Sequence, residues 1–98
     1  MPNTEAASSN RAIITVLGGD RPGIVASVTA ELADREANIL DISQTILQGI
    51  FTMTMLIDLG HADDGFSTIQ AELTELADKL GVQVTVQREE VFKFMYRL

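Results

Sequence analysis

The chain has no cysteine. That absence excludes a disulfide frame and a thiolate metal site, and it is compatible with a reducing, cytoplasmic setting. Basic residues are scarce: seven Lys and Arg against fourteen Asp and Glu give a net charge of −7. Nucleic acids and anionic lipid surfaces are held by clustered Lys and Arg, so neither is an expected partner. No stretch approaches the ~20 apolar residues of a membrane span. Met1 to Asn10 lacks the basic start and apolar centre of a signal peptide and reads as a disordered leader. There is one histidine, and no serine or cysteine nucleophile motif, so catalysis finds little support.

Hydrophobic residues make up 46% of the 98-residue chain. That suffices for the core of one small domain, which at this length buries roughly 60–65% of its unfolded surface. The patterning from residue 11 to 98 is dense and leaves no room for a second domain. Ala12 to Leu17 reads as a strand, and Ile24, Val25, Val28 and Leu32 then repeat at helical spacing, predicting a helix over Pro22–Ala37. Asn38 to Leu47 reads as a second strand, with Leu40, Ile42 and Ile46 on one side and Asp41, Ser43 and Thr45 on the other. Gln48-Gly49 is a hairpin signal, and Phe51 to Leu59 alternates more cleanly than any other segment. A polar connection, Gly60 to Gly65, leads to a helix whose apolar stripe is Phe66, Ile69, Leu73, Leu76, Ala77 and Leu80, with Gly81 at its end. Val82, Val84 and Val86 mark a fourth strand, and Glu89 to Leu98 a short final helix.

This β-α-β-β-α-β order predicts an α+β, ferredoxin-like fold: a four-stranded antiparallel sheet with two helices on one face and a short C-terminal helix. The other face would carry Thr15, Ser43, Thr45, Thr52, Thr54, Gln83, Thr85 and Gln87, but also Ile13, Leu17 and Leu56. Either the C-terminal tail or a second subunit is expected to cover part of it, unless it stays wet.

Between the first strand and first helix lies Gly18-Gly19-Asp20-Arg21-Pro22-Gly23-Ile24. Glycines permit tight turns and close backbone approach. A loop feeding a helix N-terminus exposes unpaired N–H groups and partial positive charge, which attract an anion. Asp20 would repel a phosphate and hold an ammonium group, so the combination fits a zwitterion better than a nucleotide.

At these residues the chain resembles the ACT domain, and within it the small stand-alone bacterial ACT-domain proteins. The strongest likenesses are Gly19 to Ile24, Asn38-Ile39-Leu40-Asp41-Ile42-Ser43-Gln44-Thr45, Gln48 to Met53, and Val86-Gln87-Arg88-Glu89-Glu90. The resemblance implies a βαββαβ regulatory domain, without catalysis or cofactor, that binds a free amino acid where the first loop of one subunit faces the second strand of its partner. The matching positions are Gly18, Asp20 and Asn38, with Gly19 and Gly23 shaping the loop. The family often has a polar side chain at the place of Gly18, so one contact expected of the family is missing here.

Each residue has a second reading. The glycine segment also serves as a tight β–α connection, Asp20 as a complement to the helix dipole, and Asn38 as a turn residue. Arg21 reads as a surface or ion-pair residue, and Gln44 and Gln48 as interface or edge decoration. Met53 and Met55 read as core, and His61 with Asp63 and Asp64 as a solvated loop or a weak metal site. The competing functions are a dimerisation or partner-docking module with no small-molecule ligand, and an acylphosphatase-like hydrolase using Arg21 and Asn38. Against the hydrolase stands Asp20, whose charge would weaken phosphate binding.

Overall fold

The computed structural model describes residues 10–19, 22–60 and 65–95. Along them run β1 (Arg11–Gly19), α1 (Ile24–Asp34), β2 (Asn38–Leu47), β3 (Ile50–Asp58), α2 (Gly65–Leu80), β4 (Gln83–Arg88) and α3 (Glu89–Met95). The strands form one antiparallel sheet in the order β2-β3-β1-β4, so β2 and β4 are its edges. The ferredoxin-like order expected from the periodicities is the observed one.

Alternation in the two central strands builds the core. Phe51, Met53, Met55 and Ile57 of β3 are at most 3% exposed, and they stand beside Gly18, Val16, Ile14 and Ala12 of β1. Met53 and Met55 are therefore core residues. Ile24, Val28 and Leu32 of α1 and Ile69, Leu73 and Ala77 of α2 recur every four residues and close the same face. Each of these side chains except Ala77 contributes roughly 1.5–3 kcal/mol by leaving water. Arg35 ties the two helices on the outside, pairing with Glu31 at 3.6 Å and with Glu72. A hydrogen bond with Glu72, then desolvation and the Glu72 charge, raise the Glu31 pKa above its ordinary value, with Arg35 opposing them.

Several boundaries differ from the sequence reading, and backbone angles account for them. β1 continues through Gly18 and Gly19, which pair with Phe51 and Ile50. Gly23 adopts φ 91° and caps α1, so the helix begins at Ile24, and Pro22 stands in the preceding turn rather than in the first helical turn. The helix stops at Asp34 because Glu36 takes φ 59°. There Glu36 N donates to Ala33 O at 2.9 Å and Ala37 N to Leu32 O at 3.0 Å, a Schellman closure. The hairpin Gln48-Gly49 has φ 50° and 82°, the positive pair that a two-residue type I′ turn requires.

Strand β2 carries a bulge. Ile39 faces Ile57 and Asp41 faces Leu56, which leaves Leu40 as the additional residue. Ile39 and Ile42 thereby share the helix-covered face, where strict alternation would have grouped Leu40 with Ile42. On the opposite face α3 lies against β1 and β4. Arg11 Nη2 donates to Glu89 Oε2 at 2.7 Å, and Lys93 Nζ lies 3.4 Å from the same oxygen. The C-terminal segment thus covers part of the open face.

Candidate functional site

Gly18, Gly19 and Gly23 differ in what their missing Cβ achieves. A methyl group on Gly18 would stand 2.7 Å from Val82 Cγ1 and 3.2 Å from Val82 Cα. Gly18 is therefore a packing residue, and its backbone lets the start of β4 close against β1. A Cβ on Gly19 or Gly23 would meet nothing within 4 Å, and both residues are exposed. Among the described residues no side chain caps α1, and its first turn carries no acidic residue. The leading amides of a helix carry partial positive charge. Asp20 and Arg21 lie outside the described residues.

Asn38 opens β2 opposite Asp58, which in turn faces Arg11 at the start of β1. Gly19 faces Ile50, which faces Leu47 at the end of β2. Within one chain Asn38 and the glycine segment thus occupy opposite ends of the sheet, about 27 Å apart at ~3.4 Å per residue. The structure brings Gly18, Gly19 and Gly23 together and leaves Asn38 apart from them.

Among the described residues, two cavities of about 310 Å³ each open on the surface, and neither is lined by these four residues. One lies between the end of α1 and the start of α2, bounded by Asp34, Arg35, Glu36, Leu59, Thr68 and Ile69. The other lies on the open sheet face beside α3. Next to it Glu89 is held ionised: burial raises its pKa, but the Arg11 hydrogen bond and the charges of Arg11 and Lys93 outweigh burial and lower it overall.

The feature least visible in the sequence is how bare β2 is. Leu40, Ile42, Ile46 and Leu47 are 42, 41, 59 and 68% exposed, and Ile50 beyond the turn is 53% exposed. Ile42 and Ile46 sit on the helix side of the sheet, but the two helices cover the strands beyond β2. Leu40, Ile42 and Ile46 on one side of the strand read in the sequence as a buried face, whereas β2 is an edge strand and leaves them open. Gln44 lies exposed on the same strand.

Among the described residues no group of His, Cys, Asp and Glu is arranged to hold a metal. The loop with His61, Asp63 and Asp64 lies outside the described residues. Among the described residues no helix is long and apolar enough to cross a membrane.

A four-stranded β2-β3-β1-β4 sheet with two helices on one face defines the ferredoxin-like class of βαββαβ domain. Residues 10–87 match the ACT domain family, and the chain belongs to that family, whose members are generally regulatory and ligand-binding. It is 48% identical to a UPF0237 protein of Methanocaldococcus jannaschii over 91% of this chain and 99% of that one. It is 50% identical to a UPF0237 protein of Lactococcus lactis over 90% and 99%. The structure of an ACT domain protein from Streptococcus pneumoniae superposes with a TM-score of 0.75 at 37% identity, covering 85% of this chain and 93% of that one.

Proposed function

We propose that this chain is a non-catalytic cytoplasmic sensor that binds a free amino acid between two copies of itself. The observation that carries this reading is the separation of Asn38 from the glycine segment. β2 is an edge strand, and a two-fold axis perpendicular to the sheet beside its free edge pairs β2 with β2 of a second copy in antiparallel fashion. That operation exchanges the ends of the sheet, so Asn38 of the partner subunit comes to the end where Gly18 to Gly23 lies. The exposed Ile42, Ile46 and Leu47 supply the apolar surface such an interface needs. The amino-acid carboxylate lies against the amides leading into α1, and its ammonium faces Asp20 and Asn38.

A thermal-shift screen against the proteinogenic amino acids, followed by calorimetry on the strongest stabiliser, tests this reading. A ligand at 100-fold its dissociation constant adds about 2.7 kcal/mol of stability. Asp20→Asn removes one charge-assisted hydrogen bond and lowers affinity by about 1.5–3 kcal/mol, roughly ten- to a hundredfold. The exposed edge also favours a second reading, a dimerisation or docking module without a small-molecule ligand. That reading predicts a dimer stabilised by none of the amino acids.

A further inference from the structure

We propose that the groove between α3 and β2 on the open face of the sheet is a second binding site, for a primary amine carried on a small apolar body. This site shares no residue with the glycine segment or Asn38, and it does not depend on the function proposed above.

The strand register builds the floor. Gln87, Ile13, Leu56 and Asp41 form one row across the four strands, and Thr85, Thr15, Thr54 and Ser43 form the next. The first row therefore carries the apolar pair Ile13 and Leu56 on a face that is otherwise mostly Thr, Ser and Gln, and it ends on a carboxylate. α3 stands over one side with Glu89 and Lys93, and β2 forms the other with Asp41 and Ser43. The groove is open to solvent on one side, and its volume of about 310 Å³ is at the lower end of the range typical of small-molecule sites. Ile13 and Leu56 remain half-buried on this floor. Apolar side chains with a few converging polar groups are the usual lining of such sites.

Charge selects the ligand. Glu89 already has two cationic partners, Arg11 at 2.7 Å and Lys93 at 3.4 Å. Asp41 has no ion-pair partner among the described residues; one of its oxygens, Oδ1, accepts a hydrogen bond from Ile42 N at 2.9 Å. The second oxygen is left to receive an ammonium group. A carboxylate ligand would meet Asp41 and would have to draw Lys93 from Glu89. An amine gains from both the local carboxylate and the net charge of −7.

The test is a titration of the isotope-labelled full chain, followed by amide chemical shifts, with hexylamine, hexanol and hexanoate as separate probes at one pH. Hexylamine is expected to move the amides of Ile13, Asp41, Ser43, Thr54 and Leu56 at millimolar concentration, well below the concentrations the other two probes need. Asp41→Asn keeps the oxygen that accepts from Ile42 N and removes the charge; because Asp41 is exposed at the rim, it weakens hexylamine about two- to fivefold. Lys93→Ala removes the competing ammonium and tightens hexylamine several-fold. Equal binding of all three probes, preference for hexanoate, undiminished affinity in Asp41→Asn, or no shift at the groove would each overturn the proposal.

Discussion

At position 36 the chain carries a glutamate where the backbone geometry favours glycine. Glu36 holds φ 59° at the end of α1, in the Schellman position that glycine usually fills. Left-handed backbone costs a residue with a Cβ about 1–2 kcal/mol, and part of that is recovered because glycine loosens the unfolded chain. Glu36→Gly is therefore expected to stabilise the protein by about 0.5–1 kcal/mol in urea unfolding. Gly18→Ala is expected to do the reverse. Its new methyl group meets Val82 Cγ1 at 2.7 Å with the Val82 backbone behind it at 3.2 Å, which costs about 1–3 kcal/mol as an overpacked contact. Urea midpoints of the two variants on opposite sides of the wild type confirm both assignments, and any other order contradicts at least one. Glycines were legible in the sequence as punctuation, and Gly49 and Gly81 do serve as turn and helix end. The sequence does not reveal that Gly18 serves a contact with Val82, because that contact joins residues 64 positions apart.

Among the elements, α3 is fastened to the sheet by the Arg11–Glu89 pair, whose side chains are 22% and 16% exposed. Glu89 has its pKa lowered in the folded protein from an ordinary 4.5. A depressed carboxyl stabilises the fold at any pH above the unfolded value and loses that contribution as pH falls through the folded value. The stability advantage of the wild type over Glu89→Gln should thus be constant near neutrality and shrink below pH 4.5. Urea unfolding at a series of pH values measures it, and an advantage that grows on acidification would contradict the pairing. Glu31 acts with opposite sign, since its raised pKa gives a contribution present below the ordinary value and lost as pH rises through the raised one. The order of elements was legible because the apolar period changes from two to near four and back along the chain. Their limits were less so: the positive φ of Gly23 and Glu36 and the bulge at Leu40 break the periods locally. The turn at Glu36 is closed by local bonds to Ala33 and Leu32, whereas the bulge at Leu40 exists only in the pairing of β2 with β3.

For the whole molecule, the decisive relation is that the two halves of the candidate site stand at opposite ends of one sheet. Gly19, Gly23 and Asn38 were each legible as chemistry, by their residue types and their places at element junctions. Their separation follows from the β-α-β order, because α1 carries the chain back before β2 starts parallel to β1, and it agrees with the resemblance, which puts the first loop of one subunit against the second strand of its partner. A site completed by a second copy makes one demand that a site within one chain does not. The measurement is calorimetric titration of the best amino acid into an equal mixture of Asp20→Asn and Asn38→Ala chains after subunit exchange, each variant having first been shown to bind weakly alone. In a mixed dimer one site carries both changes and the other carries neither. Half of the dimers are mixed, so about a quarter of the wild-type sites should return at wild-type affinity. If the mixture binds no better than the two variants measured separately, the ligand does not lie between two copies.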